Sequence, residues 1–244
     1  MNTLFLQVIR LKTNSSPPNF IKSLFPLDLK NNITIIIGEN GCGKSTLLEA
    51  IAVKLGCNPE GGGKNFNFQT ENTHSTLHTC LQLSKGYSKE KDIFFYRAET
   101  FYNFNTAIRD LDKETSFDPE IKTYYGGRDL HSMSHGEAME ALFINRFKAK
   151  GLYILDEPEA SLSPLRQLIF IKRLLELAQK GAQFIVATHS PIIMSIPGCE
   201  LLQISNGRFE PISPIDTDAY AIYKAVINSS GEYIKTLCDE QDFN

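Results

Sequence analysis

The stretch Gly38-Glu39-Asn40-Gly41-Cys42-Gly43-Lys44-Ser45 carries the residue types and the spacing that hold a phosphate. Glycines let successive backbone N–H groups converge on anionic oxygens, and the helix start that follows adds a partial positive charge. Lys44 would reach the β- and γ-phosphates of a nucleotide, and the Ser45 hydroxyl would hold Mg²⁺. The expected nucleotide-binding set is therefore Gly38, Glu39, Asn40, Gly41, Cys42, Gly43, Lys44, Ser45 and Thr46.

Two further groups fit the same chemistry. The apolar run Leu152-Tyr153-Ile154-Leu155 ends in Asp156 and Glu157. In a parallel sheet the C-terminal strand ends line the ligand crevice, so both acids would face the phosphates. Asp156 would serve the metal, mostly through its water shell, and Glu157 would take the proton of an attacking water. The segment Thr188-His189-Ser190-Pro191 follows another apolar run, and His189 can hydrogen-bond a γ-phosphate and report its presence. The expected catalytic set is Glu157, His189 and Lys44.

These groups need strands and helices in a fixed order. Ile33 to Ile37 is an unbroken apolar, β-branched run except at Thr34, which suits the centre of a parallel sheet covered on both faces. Thr46 to Lys54 reads as a helix that Gly56 can end. Thr3 to Leu11 reads as a strand, and Asn14 to Asn19 as a loop. Phe66–Phe68, Leu77–Leu83 and Ile93–Tyr96 read as strands of an antiparallel patch or of a strand returning to the main sheet. Tyr124 to Ser134 is polar and leads into a helix from Gly136 to Lys150. Pro164 to Gln179 reads as an amphipathic helix with Leu165, Leu168, Ile169, Leu175 and Ala178 available to its buried face. Phe184 to Ala187 is a further buried strand. Leu201–Ile204 and Arg208–Ile212 flank Asn206-Gly207 as a hairpin. Tyr220 to Leu237 reads as helical apart from Gly231. The alternation gives an α/β fold with a mostly parallel central sheet flanked by helices, plus a small antiparallel patch.

Composition agrees with that class. The chain has 244 residues, 42% of them hydrophobic, and a net charge of -3, which argues against a uniformly basic nucleic-acid coat. No apolar run approaches the roughly 20 residues of a membrane span, and Met1 to Lys12 lacks a signal-peptide pattern. The expectation is a cytoplasmic protein. Five cysteines, Cys42, Cys57, Cys80, Cys199 and Cys238, form no C-x-x-C pair, which indicates neither a zinc site nor a disulfide framework.

Taken in order, these motifs resemble the ATPase heads of the ATP-binding-cassette superfamily, and more closely its SMC/Rad50-like stand-alone branch of AAA family ATPases. The resemblance extends to a signature segment, Ser132-Met133-Ser134-His135-Gly136-Glu137, before the helix that precedes the Walker B strand. It implies a P-loop NTPase fold with a helical signature segment, and ATP and Mg²⁺ as cofactors. In the family, the signature of one protomer caps the γ-phosphate held by the other, a part that falls here to Ser134, Gly136 and Glu137. The same residues also read as an N-cap at Ser134 with a capping box at Glu137. The Phe94-Phe95-Tyr96-Arg97-Ala98-Glu99 stretch resembles the approach to the Q-loop, with Glu99 in place of glutamine. The expected metal set is therefore Ser45, Asp156 and Glu99. The Glu159-Ala160-Ser161-Leu162-Ser163-Pro164 stretch resembles the D-loop, with Ser163 where aspartate is common. Phe20 or Phe25 could stack on the base. Arg97, Arg109 and Arg128 are candidates to stabilise a transition state.

The resemblance implies a single ATPase domain over 1–244. Its nucleotide core is 1–60 and 150–215, its Q-loop-like β region about 66–100, its helical signature region about 101–150, and its C-terminal helix and tail 216–244. With neither heptads nor a C-x-x-C hook, this is a head without a coiled-coil arm. The expected function is Mg-dependent ATP hydrolysis in a head-to-tail homodimer with ATP at the interface. It would drive or gate a nucleic acid or an effector protein such as a nuclease or toxin, in genome maintenance or defence. The alternatives are the ATPase subunit of a membrane transporter and a nucleotide-gated module with little turnover.

Overall fold

The computed structural model describes residues 4–64, 75–112, 123, 126–127 and 132–239. The expected strand at Phe66–Phe68, most of the Tyr124–Ser134 loop and Arg128 lie outside the described residues.

Seven strands form the main sheet in the order β10-β9-β3-β8-β7-β6-β4. They are β3 (Ile33–Ile37), β4 (Gly62–Gly63), β6 (Asp92–Arg97), β7 (Gly151–Asp156), β8 (Gln183–Ala187), β9 (Glu200–Ser205) and β10 (Arg208–Pro211). Strands β9, β3, β8, β7 and β6 run parallel, and the edge strands β10 and β4 run antiparallel to their neighbours. A smaller antiparallel sheet holds β2 (Leu27–Asp28), β1 (Leu6–Leu11) and β5 (Leu81–Lys85).

Strand residues alternate between two cores because successive side chains point to opposite faces. Ile35, Phe94, Tyr96, Tyr153, Leu155, Phe184 and Val186 join the core on one face. That core is completed by α4 (Phe101–Leu111), α5 (His135–Ala141) and α6 (Pro164–Gln179). Ile36, Phe95, Ile154, Ile185 and Ala187 join the other, beneath α2 (Lys44–Lys54) and the small sheet. Buried on both sides, the parallel strands read as continuous apolar runs. Gln183 joins the two sheets: its Oε1 accepts from Phe5 N and Leu6 N at 2.9 and 3.0 Å, and its Nε2 donates to Leu6 O at 2.7 Å.

The remaining helices are short or peripheral: α1 (Asn19–Lys22), α3 (Leu77–Cys80), α7 (Pro191–Met194), α8 (Asp218–Asn228) and α9 (Glu232–Asp239). Among the described residues no helix is long and apolar enough to cross a membrane.

Three expectations are corrected here. Leu77–Leu83 is not one strand: Leu77 to Cys80 turn as α3 and only then does β5 begin, antiparallel to β1. The helix after Gly136 stops short of Lys150. It widens into a π turn at Leu142–Arg146, and Arg173 of α6 donates to the carbonyls of Phe143, Ile144 and Phe147 as the chain leaves the helix. The buried face of α6 is also different. Gln167, Phe170, Leu174 and Leu177 face the sheet, whereas Leu165, Leu168 and Ile169 are exposed. The helix carries two apolar stripes, and Phe170, the largest side chain, occupies the core with Phe143 stacked edge-on at 5.3 Å.

Candidate active site

The carboxyl ends of β3, β6, β7 and β8 deliver every group of the site to one edge of the sheet. After Ile37 the chain turns through Gly38 to Gly43 before α2 begins at Lys44. Gly41 and Gly43 have φ of 79° and 99°, a left-handed region that glycine enters at no steric cost. At Gly43 a Cβ would also stand 3.1 Å from the Phe20 ring. Phe20 is 55% exposed and lies against the loop, where an aromatic face is available to a base. Phe25 instead packs on the core beneath α2.

Lys44 is buried, and its ammonium donates to Gly38 O at 2.7 Å and Glu39 O at 2.9 Å. The loop therefore curls around its own lysine and fixes the charge at its centre. Ser45 Oγ donates to Asp156 Oδ1 at 3.1 Å, which joins the first turn of α2 to the end of β7. Asp156 is buried, and burial pushes its carboxyl up to about 6, against the Ser45 hydrogen bond and the Arg97 charge. A serine hydroxyl and a carboxylate already in contact are the hard oxygen donors that Mg²⁺ prefers. The residues present fit that ion.

Arg97, in register with Asp156 on the neighbouring strand, is the residue whose place the sequence could not show. Its Nη1 donates to Glu49 Oε2 at 2.7 Å, its Nη2 to Glu99 Oε2 at 3.1 Å, and its Nε lies 3.9 Å from Asp156 Oδ2. One guanidinium thus ties α2, the segment after β6 and the acid strand end together. Glu99 pairs with Arg97, which also lies beside Asp156, and its side chain is 75% exposed. Its place in the metal set stays an expectation from its position, where the Q-loop glutamine would stand. Glu49 was missed because an acid inside an apolar helix reads as a solvated residue until its partner is known. Arg109 lies beside Asp110 on α4.

Glu157 follows Asp156 in a left-handed conformation, φ 52° and ψ 53°, which a non-glycine residue adopts at a cost. Its N–H donates to Ala187 O at 2.9 Å, and that bond holds the turn on β8. The Glu157 carboxylate lies 3.8 Å from His189 Nε2. The expected acid pair and histidine are thus brought together with Lys44 and Ser45 by adjacent strands.

Ser134, Gly136 and Glu137 stand on α5. Ser134 accepts from Glu137 N and Glu137 returns to Ser134 N at 2.9 Å, so the capping box exists. A Cβ on Gly136 would meet Ser161 O at 2.7 Å, so glycine is required for α5 to approach the turn after the acids. Among the described residues no group of three or more histidines, cysteines or acids forms a metal cluster. Cys42 is a free, half-buried thiol with its Sγ 3.9 Å from Lys44 Nζ.

Comparison with known proteins agrees with this geometry. Residues 20–132 match the family described as "AAA domain", and residues 141–195 match "AAA domain, putative AbiEii toxin, Type IV TA system". The "Probable branched-chain amino acid transport ATP-binding protein LivF" of Archaeoglobus fulgidus is 32% identical over 167 residues, covering 63% of this chain and 69% of that protein. The "Molybdate import ATP-binding protein MolC" of Haemophilus influenzae is 27% identical over 186 residues, covering 71% and 68%. Among solved structures, "An inward-facing conformation of a putative metal-chelate type ABC transporter" superposes with a TM-score of 0.50 at 20% identity, over 91% of this chain and 88% of that one, a likeness of fold. With the phosphate loop, the acid pair and the histidine gathered at one sheet edge, the chain belongs to the ATP-binding-cassette superfamily and is a P-loop ATPase.

Proposed function

We propose that two copies of this chain close head to tail around two molecules of Mg-ATP, and that hydrolysis opens them again. The observation that supports this is the division of the anion-binding groups. Lys44, Ser45, Asp156, Glu157 and His189 converge on one sheet edge, while Ser134 and Gly136 begin a helix seated on the turn after the acids. A second copy would bring its Ser134 and Gly136 to the γ-phosphate held by the first.

In this reading Lys44 turns from its two loop carbonyls to the β- and γ-phosphate oxygens. Ser45 and Asp156 would hold Mg²⁺, which would supply neutralising charge to the phosphates. Glu157 takes a proton from water as the water oxygen bonds to the γ-phosphorus and the bond to the bridging β–γ oxygen breaks. His189 donates to a γ-phosphate oxygen. Catalysis comes from positioning and charge stabilisation. Phe20 offers the face for the base.

The partner moved by this cycle is proposed to be a membrane protein of a transport system. The names of LivF and MolC support that choice. A nucleic acid or an effector protein would be the other outcome of a search for partners with the closed dimer. The test of the sandwich is the mass in solution of Glu157→Gln with and without Mg-ATP, with Lys44→Ala as control. A monomer-to-dimer shift that needs both ATP and Lys44 is expected. ATP binding without a change in mass would overturn the head-to-tail reading for the isolated chain.

A further inference from the structure

We infer that Glu159 is a positioning residue for hydrolysis: its carboxylate grips the backbone N–H of His189 and so sets the imidazole against Glu157. This rests on the reading of His189 as the group that meets the γ-phosphate.

The geometry is specific. Glu157, Pro158 and Glu159 open a tight 3-10 turn, closed by Ala160 N to Glu157 O and Leu162 N to Glu159 O. From that turn Glu159 Oε1 accepts from His189 N at 2.6 Å, across 30 residues of sequence. Two residues earlier on the same turn, Glu157 reaches the His189 ring at 3.8 Å. One histidine is thus held by its main chain and faced at its ring by two acids of a single turn. A hydrogen bond to an ionised acceptor is short and about twice as strong as a neutral one.

Glu159 is half-buried. Its second oxygen, Oε2, is buried and has no hydrogen-bond partner among the described residues. The flanking residues are tied separately. Thr188 N donates to Ile36 O at 3.3 Å and Ser190 N to Thr188 Oγ1 at 3.0 Å. Ser190 Oγ donates to Gln167 Oε1 at 2.5 Å, and Gln167 Nε2 donates to Leu162 O at 3.0 Å. Those bonds hold the loop to the sheet and to α6. Among the described residues, the bond to Glu159 links the His189 main chain to the turn carrying the general base. A misplacement of about 1 Å at a reacting group costs on the order of 100-fold in rate.

The test separates reach from charge. Glu159→Gln keeps an oxygen at the same distance, Glu159→Asp keeps the charge but falls one methylene short, and Glu159→Ala removes both. With His189→Ala as reference, kcat and KM for ATP are measured for each, together with amide hydrogen exchange at His189 in the protein without nucleotide. Glu159→Gln is expected to retain kcat within about threefold and to keep the His189 amide protected. Glu159→Asp and Glu159→Ala are expected to lose roughly 10- to 100-fold in kcat with KM nearly unchanged, and to lose that protection. Wild-type kcat in Glu159→Asp, or a loss in Glu159→Gln as large as in Glu159→Ala, would overturn the inference. If His189→Ala itself keeps wild-type kcat, the γ-phosphate reading of His189 fails instead. Should Glu159→Ala not fold, the Gln and Asp variants decide.

Discussion

Replacing Asp156 with asparagine should stabilise the fold while disabling the site, and the size of the effect follows from where the carboxylate sits. Burial, opposed by Ser45 and Arg97, raises its pKa from 3.8 to about 6. Between those values the folded chain holds a proton that the unfolded chain has released. Stability therefore falls as pH rises across that window and stays at the lower level above it. At about 1.4 kcal/mol per unit, the ionised carboxylate costs roughly 3 kcal/mol at pH 7.5, about half of that at pH 5 and little at pH 4. Asparagine has the same shape, keeps an oxygen for the Ser45 hydroxyl and carries no charge. In EDTA, Asp156→Asn should melt above wild type by roughly 6–12 °C at pH 7.5, taking about 2–4 °C per kcal/mol for a chain of this size. The gap should close as pH falls towards 4. Thermal unfolding followed by circular dichroism over pH 4–8 measures it. A gap absent at pH 7.5, or one equal at pH 4 and pH 7.5, would refute the burial argument. Adding Mg-ATP should reverse the order, because ligand binding stabilises only the protein that still binds it.

Glu157→Gly should release the left-handed strain at φ 52° and raise stability by about 1 kcal/mol in urea titration, with hydrolysis lost. Gly136→Ala should cost about 1–3 kcal/mol in the same assay, since the new Cβ meets the Ser161 carbonyl at 2.7 Å and the backbone must shift. Arg97→Ala should cost roughly 2–3 kcal/mol, because among the described residues it leaves the largely buried Glu49 carboxylate with only the Ser75 N–H as a hydrogen-bond partner. Adding Glu49→Gln should recover most of that loss, and a double-mutant cycle that shows simple additivity would contradict the pairing.

What could be read from the chain alone was what is contiguous in it. The phosphate loop is a strand end, a glycine turn and a helix start in one run, so its residues carry their own geometry. The capping box at Ser134 and Glu137 and the hairpin at Asn206-Gly207 were legible for the same reason. The parallel sheet followed from apolar runs too continuous for a strand with a wet face. The tertiary structure decided whatever depends on which neighbours meet. Helix α6 has apolar residues on both sides, and only the sheet selects Phe170, Leu174 and Leu177 over Leu165, Leu168 and Ile169. The place of Arg97 depends on the register of β6 with β7, which sets it beside Asp156, and on the packing of α2, which brings Glu49 to it. The bond from Glu159 to His189 joins residues 30 positions apart across two strand ends. Local dihedral preferences act over a few residues and therefore leave a sequence pattern; pairings across strands are chosen by packing, which no short window of sequence contains.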